Sequence, residues 1–177
     1  MNRRRVFAIV AAVGLITTGV VAAQSPDAPA KAPAAGVLAP AGEPGTRLHV
    51  SGVVVDASGT PVRGASIYAF QTDAEGYYGV KPVSDNANPR LKILLRSGPK
   101  GEWSFETIRP GSYPGSRVPG HIHFEVRAAG FAPKVFEIVF EADPFVTSQM
   151  RSNPAFSVRP IEPGAPGRVT QRIVLGG

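Results

Sequence analysis

The stretch LHVSGVVVDASGTPVRGASIYAF, residues 48–70, sets two runs of β-branched and aromatic residues on either side of DASGTP, and its reading decides the fold. Residues 48–55 and 65–70 carry the composition of strands, and 56–61 hold the Asp, Ser, Gly and Pro that reverse a chain, so the stretch predicts two strands joined as a hairpin. Working outward, the same signals predict strands at 91–95, 102–105, 121–128, 134–140 and 168–175. Eighteen prolines and twenty glycines punctuate these runs. No long 3.6-residue period survives beyond the N-terminus, which makes the architecture an all-β sandwich with long loops.

Residues 1–23 read differently. A basic head, Arg3-Arg4-Arg5, precedes an apolar run from 6 to 21 and the small-residue finish VVAAQS, the pattern of a secretory signal peptide with cleavage after Ala23. The apolar run is shorter than the roughly 20 residues that span a bilayer, and RRVF fits the twin-arginine pattern, so the expectation is an exported protein, periplasmic or extracellular. Residues 24–45 are rich in Ala, Pro and Gly with few large apolar side chains, which predicts a disordered linker. Residues 46–177 then form one domain, long enough to bury a core.

The net charge of +6 includes the three arginines of the signal. The remaining balance is modestly positive, which suits an anionic small substrate, and no basic cluster with interleaved aromatics points to nucleic acid. No membrane contact is expected beyond a tether at the N-terminus, and a homo-oligomer is left open. There are no cysteines, so thiolate metal sites are excluded and any metal must be held by oxygen and nitrogen.

Two of the three histidines lie in one tripeptide of SYPGSRVPGHIHFEV, residues 112–126. Side chains alternate along a strand, so His121 and His123 project together while Ile122 points the other way, a chelating geometry. A surface strand carrying two solvated imidazoles has the same spacing. Tyr113 sits among Pro-Gly turns just upstream.

Two resemblances bear on the choice. GVVVDASGTPVRGASIYAF, residues 52–70, resembles prealbumin-like domains appended to carboxypeptidases and surface proteins, which implies a non-catalytic binding module. The ordered series FQTDAEGYY, GEWSFETIRPGSYPG, RVPGHIHFEV and VFEADP, between 70 and 144, resembles the intradiol ring-cleavage dioxygenases, nearest to the catalytic subunit of protocatechuate dioxygenase. The second resemblance implies a prealbumin-like β-sandwich core and a non-haem Fe(III) held by Tyr78, Tyr113, His121 and His123, with Tyr77 the alternative to Tyr78 by a one-residue slip. It further implies that Tyr78 and His121 are equatorial, that Tyr113 and His123 are axial, and that Tyr113 leaves the metal when a catechol chelates it. The substrate would be a catechol-type ring opened with O2 between its two hydroxyls to a muconate-type diacid. Arg117, four residues before His121, would line the pocket and stabilise anionic charge, although a surface arginine in a turn fits the same position. The chain departs from the family pattern at Ala142-Asp143-Pro144, where Gly-Asp-Pro is usual, and has no room for a helical dimerisation segment.

Fe(III) suits such a ligand set. It is hard and highly charged, favours anionic oxygen, and can deprotonate a phenol whose free pKa is near about 10.

Overall fold

A computed structural model describes residues 26–83 and 85–176. The signal peptide expected at 1–23 lies outside the described residues. Nine strands and one short helix follow in order: β1 (Ala35–Val37), β2 (Arg47–Asp56), β3 (Ser66–Gln71), β4 (Leu91–Arg96), β5 (Glu102–Ile108), β6 (His121–Arg127), β7 (Lys134–Phe140), α1 (Ser148–Ser152), β8 (Phe156–Arg159) and β9 (Gly167–Leu175). They form two sheets, β1-β5-β2-β9 and β4-β3-β6-β7-β8, each mixing parallel and antiparallel pairs. The all-β reading holds. Among the described residues no helix is long and apolar enough to cross a membrane.

The sheets pack face to face because their strands alternate. Along β6 Ile122, Phe124 and Val126 are buried in the core, and β7 contributes Phe136, Ile138 and Phe140 to the same layer. Trp103 and Phe105 of β5 meet them from the opposite sheet, with Phe124 5.4 Å from Trp103 and stacked 5.0 Å from Phe136. Aromatic burial of this kind dominates core energetics.

Two expectations are corrected. The 48–70 stretch is not a hairpin: β2 pairs with β5 and β9, whereas β3 pairs with β4 and β6 in the other sheet. Its turn closes locally, with Asp56 Oδ1 accepting from the backbone N–H of Ser58 and Thr60, but the chain then crosses to the second layer. The connection is too long for the two-residue turn that pins neighbouring strands, and each strand finds apolar partners elsewhere. The second correction concerns the linker. Residues 26–45 lie on the sandwich, with Ala28, Leu38 and Ala39 buried and β1 added in parallel to β5. Polar contacts replace the missing apolar surface. The Arg96 guanidinium donates to the carbonyls of Ala28 at 2.6 Å and Pro29 at 2.9 Å, and Arg90 grips the Glu43 carboxylate with two hydrogen bonds.

At one end of the sandwich the β3–β4 turn and the β5–β6 loop close on each other. Asp73 Oδ1 accepts from the N–H of Glu75 and Tyr77, and Gly111 N–H donates to Asp73 O at 2.8 Å. Gly76 has φ of +92°, and a Cβ there would stand 1.9 Å from Ser112 O; at Gly120 one would stand 2.3 Å from Pro110 O. Only glycine permits both approaches. Buried Gln71 ties the layers beneath them, donating to Ile108 O at 2.9 Å and accepting from Thr107 Oγ1 at 2.7 Å.

Two outcomes follow for stability. Phe124→Ala should cost about 3–5 kcal/mol, read as a lower denaturation midpoint at unchanged slope; a cost below about 1 kcal/mol would place its ring outside the core. Gly76→Ala should destabilise by more than about 1 kcal/mol and speed amide exchange at Tyr77 and Gly111 while Ile122 and Phe124 stay protected. Uniform protection across all four would contradict the loop packing.

Candidate metal centre

The outward face of β6 at this end carries His121 and His123, and the two loops bring a tyrosine each to meet them. Tyr78 is 2% exposed, and its backbone carbonyl accepts from Arg90 N–H at 2.7 Å, fixing the turn after β3. Tyr113 comes from the β5–β6 loop and stays partly exposed, its carbonyl accepting from Ser116 N–H.

The four side chains converge on one point. Tyr78 Oη lies 2.6 Å from Tyr113 Oη and 2.6 Å from His123 Nε2; Tyr113 Oη lies 2.9 Å from His121 Nε2; the two Nε2 atoms are 3.0 Å apart. The tautomers follow from the far nitrogens. His121 Nδ1 faces Pro119 O at 2.8 Å, which can only accept, so Nδ1 carries the proton and Nε2 presents a lone pair. His123 Nδ1 faces Glu137 Oε1 at 3.2 Å, with the same consequence. The two Nε2 lone pairs face the tyrosine hydroxyls, and two hydroxyl protons must serve four contacts of 2.6 to 3.0 Å, a shortage that a bound cation would relieve.

Electrostatics agree. Burial pushes the Tyr78 phenol far above its ordinary range, helped by its hydrogen bond to Tyr113. Burial also raises Tyr113, although its bond to Tyr78 pulls the other way. His121 is pushed down, again chiefly by burial. Glu137 is lowered: burial alone would raise it, but the His123 hydrogen bond and the two neighbouring imidazoles outweigh that cost. The surroundings therefore favour the neutral forms of both phenols and of His121, and a cation among them would supply the field to ionise the phenols. Two phenol oxygens and two imidazole nitrogens fit a hard or borderline metal ion.

All four residues predicted from sequence as ligands are brought together, and it is Tyr78 that reaches the cluster. Tyr77 turns away, with Lys81 Nζ 5.7 Å from its ring centroid. Arg117 does not join the cluster's hydrogen bonds. It is exposed, its guanidinium 5.8 Å from the centroid of Phe145. The third histidine, His49, pairs with Glu106 at 2.7 Å on the other sheet.

Sequence reasoning missed three contributors. Glu137 stands opposite His123 in the β6–β7 register, and the signal was a lone carboxylate in the apolar run KVFEIVF. Phe70 stands opposite His123 on β3 and stacks on its ring at 4.4 Å and 12°. Asp143, 9% exposed, accepts from Gly120 N–H at 3.1 Å and Phe145 N–H at 3.0 Å, pinning the turn just before His121.

Known proteins resemble the chain in sequence and in fold. The chain is 31% identical over 125 residues to chlorocatechol 1,2-dioxygenase of Rhodococcus opacus, covering 61% of this chain and 49% of the relative. It is 34% identical over 117 residues to the protocatechuate 3,4-dioxygenase beta chain of Burkholderia cepacia, covering 59% and 49%. The chain thus spans about half the length of these curated relatives. The fold matches the dioxygenase domain of a dioxygenase–carbohydrate-binding fusion from Streptomyces sp. SirexAA-E, with a TM-score of 0.62, 24% identity, and coverage of 85% of this chain and 97% of that one. It also matches hydroxyquinol 1,2-dioxygenase from Pseudomonas putida DLL-E4, with a TM-score of 0.64, 22% identity, and coverage of 82% and 62%. Residues 24–161 match the family model described as Dioxygenase, and with its tyrosines and histidines assembled in the order of the intradiol motif, the chain belongs to the intradiol ring-cleavage dioxygenase family.

Proposed function

We propose that this chain is a non-haem Fe(III) dioxygenase that opens a catechol-type ring between its two hydroxyls. One catechol and one O2 give one muconate-type diacid, so both oxygen atoms enter the product. The observation that carries the reading is the convergence of Tyr78 Oη, Tyr113 Oη, His121 Nε2 and His123 Nε2 on one point. Those four residues would hold the iron, the two tyrosines as phenolates. Fe(III) held there would supply Lewis acidity that favours the ionised catechol and makes its ring reactive toward O2.

The chain's own residues divide the remaining work. Tyr78 is buried and its carbonyl is tied to Arg90, so it suits a ligand that stays in place. Tyr113 is partly exposed on a loop of Pro-Gly turns, so its side chain can swing while the backbone stays put, and its phenolate oxygen can accept a catechol proton. The buried face of β6 keeps His121 and His123 in register behind them. Arg117, exposed with its guanidinium 5.8 Å from the Phe145 ring centroid, would supply a cation to an anionic substituent or to developing negative charge.

Export by the 1–23 segment, with RRVF as a twin-arginine signal, completes the reading and places the enzyme in the periplasm or outside the cell. The non-catalytic module implied by the other resemblance does not account for two tyrosines and two histidines drawn to one point.

Iron-loaded protein should be coloured by phenolate-to-Fe(III) charge transfer and should change hue when catechol is added without oxygen. Colourless protein with one iron per chain would contradict the ligand set. Tyr113→Phe should keep its iron and lose roughly 10²–10⁴-fold in turnover, the range that positioned acid–base catalysis contributes. Oxygen uptake equal to that of the parent would make Tyr113 a structural residue.

A further inference from the structure

The two imidazoles of the cluster are held by different kinds of partner. His121 Nδ1 donates to a neutral carbonyl, that of Pro119, whereas His123 Nδ1 faces the carboxylate of Glu137. The second contact is built by the sheet, since His123 and Glu137 are directly opposed in β6–β7. His123 is also opposed to Phe70 in β3, whose ring stacks flat on the imidazole. One neighbour therefore fixes the plane of the ring and the other fixes which nitrogen carries the proton.

Glu137 could be mistaken for a ligand, because atoms of His121, His123 and Glu137 come within 4.8 Å of one another. Its oxygen, however, meets the nitrogen of His123 that points away from the tyrosines. An imidazole whose N–H is given to a carboxylate is a stronger donor at its other nitrogen than one bonded to a neutral carbonyl.

We propose that Glu137 is a positioning residue of the metal centre: its carboxylate holds His123 with Nε2 aimed at the tyrosines and makes this imidazole more electron-donating than His121. The inference rests on the iron reading above and adds a consequence to it. The carboxylate's charge, delivered through His123, makes the bound Fe(III) harder to reduce and raises the energy of the phenolate charge-transfer band.

Glu137→Gln separates charge from shape, because the amide keeps the size and an oxygen acceptor. It should retain one iron per chain, move the charge-transfer band to longer wavelength, and be reduced by weaker reductants than the parent. Glu137→Ala removes both and should lower iron affinity roughly 10–100-fold. On the unaltered, iron-free protein, nitrogen-15 NMR should find His123 protonated at Nδ1. A coloured parent with an unchanged spectrum and reducibility in Glu137→Gln, or an Nε2-protonated His123, overturns this inference alone. So does loss of iron from Glu137→Gln together with its retention in His123→Ala, which would make the carboxylate a ligand. A parent that binds iron without colour overturns the iron reading and takes this inference with it.

Discussion

Along β6 alternate side chains go to opposite faces, and both faces of this one strand are committed. Ile122, Phe124 and Val126 are packed against Trp103 and Phe105 of the other sheet, so the strand cannot slip in register without expelling an aromatic layer from the core. His121 and His123 are held outward by the same packing. The binding face inherits its rigidity from the core behind it, and β3 and β7 on either side supply Phe70 and Glu137 in fixed register.

The tyrosines arrive by a different route. Neither stands on a strand, and each depends on backbone contact between loops: Gly111 N–H on Asp73 O, Thr72 Oγ1 on Gly111 O, and glycines where a Cβ would collide. The result is a cluster of two nitrogen donors held on a strand, one buried oxygen donor and one partly exposed oxygen donor. On the proposed iron reading, that asymmetry would suit the exchange of one protein ligand for substrate while three persist. On the proposed iron reading it would also couple metal binding to folding, because a cation that ionises the buried phenols would bind the native loops and not the unfolded chain.

Much of this was legible in the sequence. Runs of β-branched and aromatic residues bounded by Gly, Pro and Asp located seven of the strands, and the order of the motifs named the four converging residues. The failures have physical causes. The hairpin expected across 48–70 was wrong because local turn chemistry does not reveal which sheet the next strand joins. The disorder expected at 24–45 was wrong where the structure describes it, because composition counts apolar side chains and overlooks backbone carbonyls that Arg96 can hold or an edge strand that β1 can extend. β8 escaped because its short run FSVR is half-buried throughout, with no alternation to detect. Glu137 and Phe70 escaped because their role comes from cross-strand register, which no spacing along the chain encodes.

The central claim is that one ion sits between two tyrosine oxygens and two histidine nitrogens drawn from a strand and two loops. A crystal structure of the iron-loaded protein tests it most directly. The account predicts one iron bonded to Tyr78 Oη, Tyr113 Oη, His121 Nε2 and His123 Nε2, with the Glu137 carboxylate on His123 Nδ1 and off the metal. Iron bound through Glu137 in place of either tyrosine, or a fully loaded protein with its iron elsewhere, would contradict it.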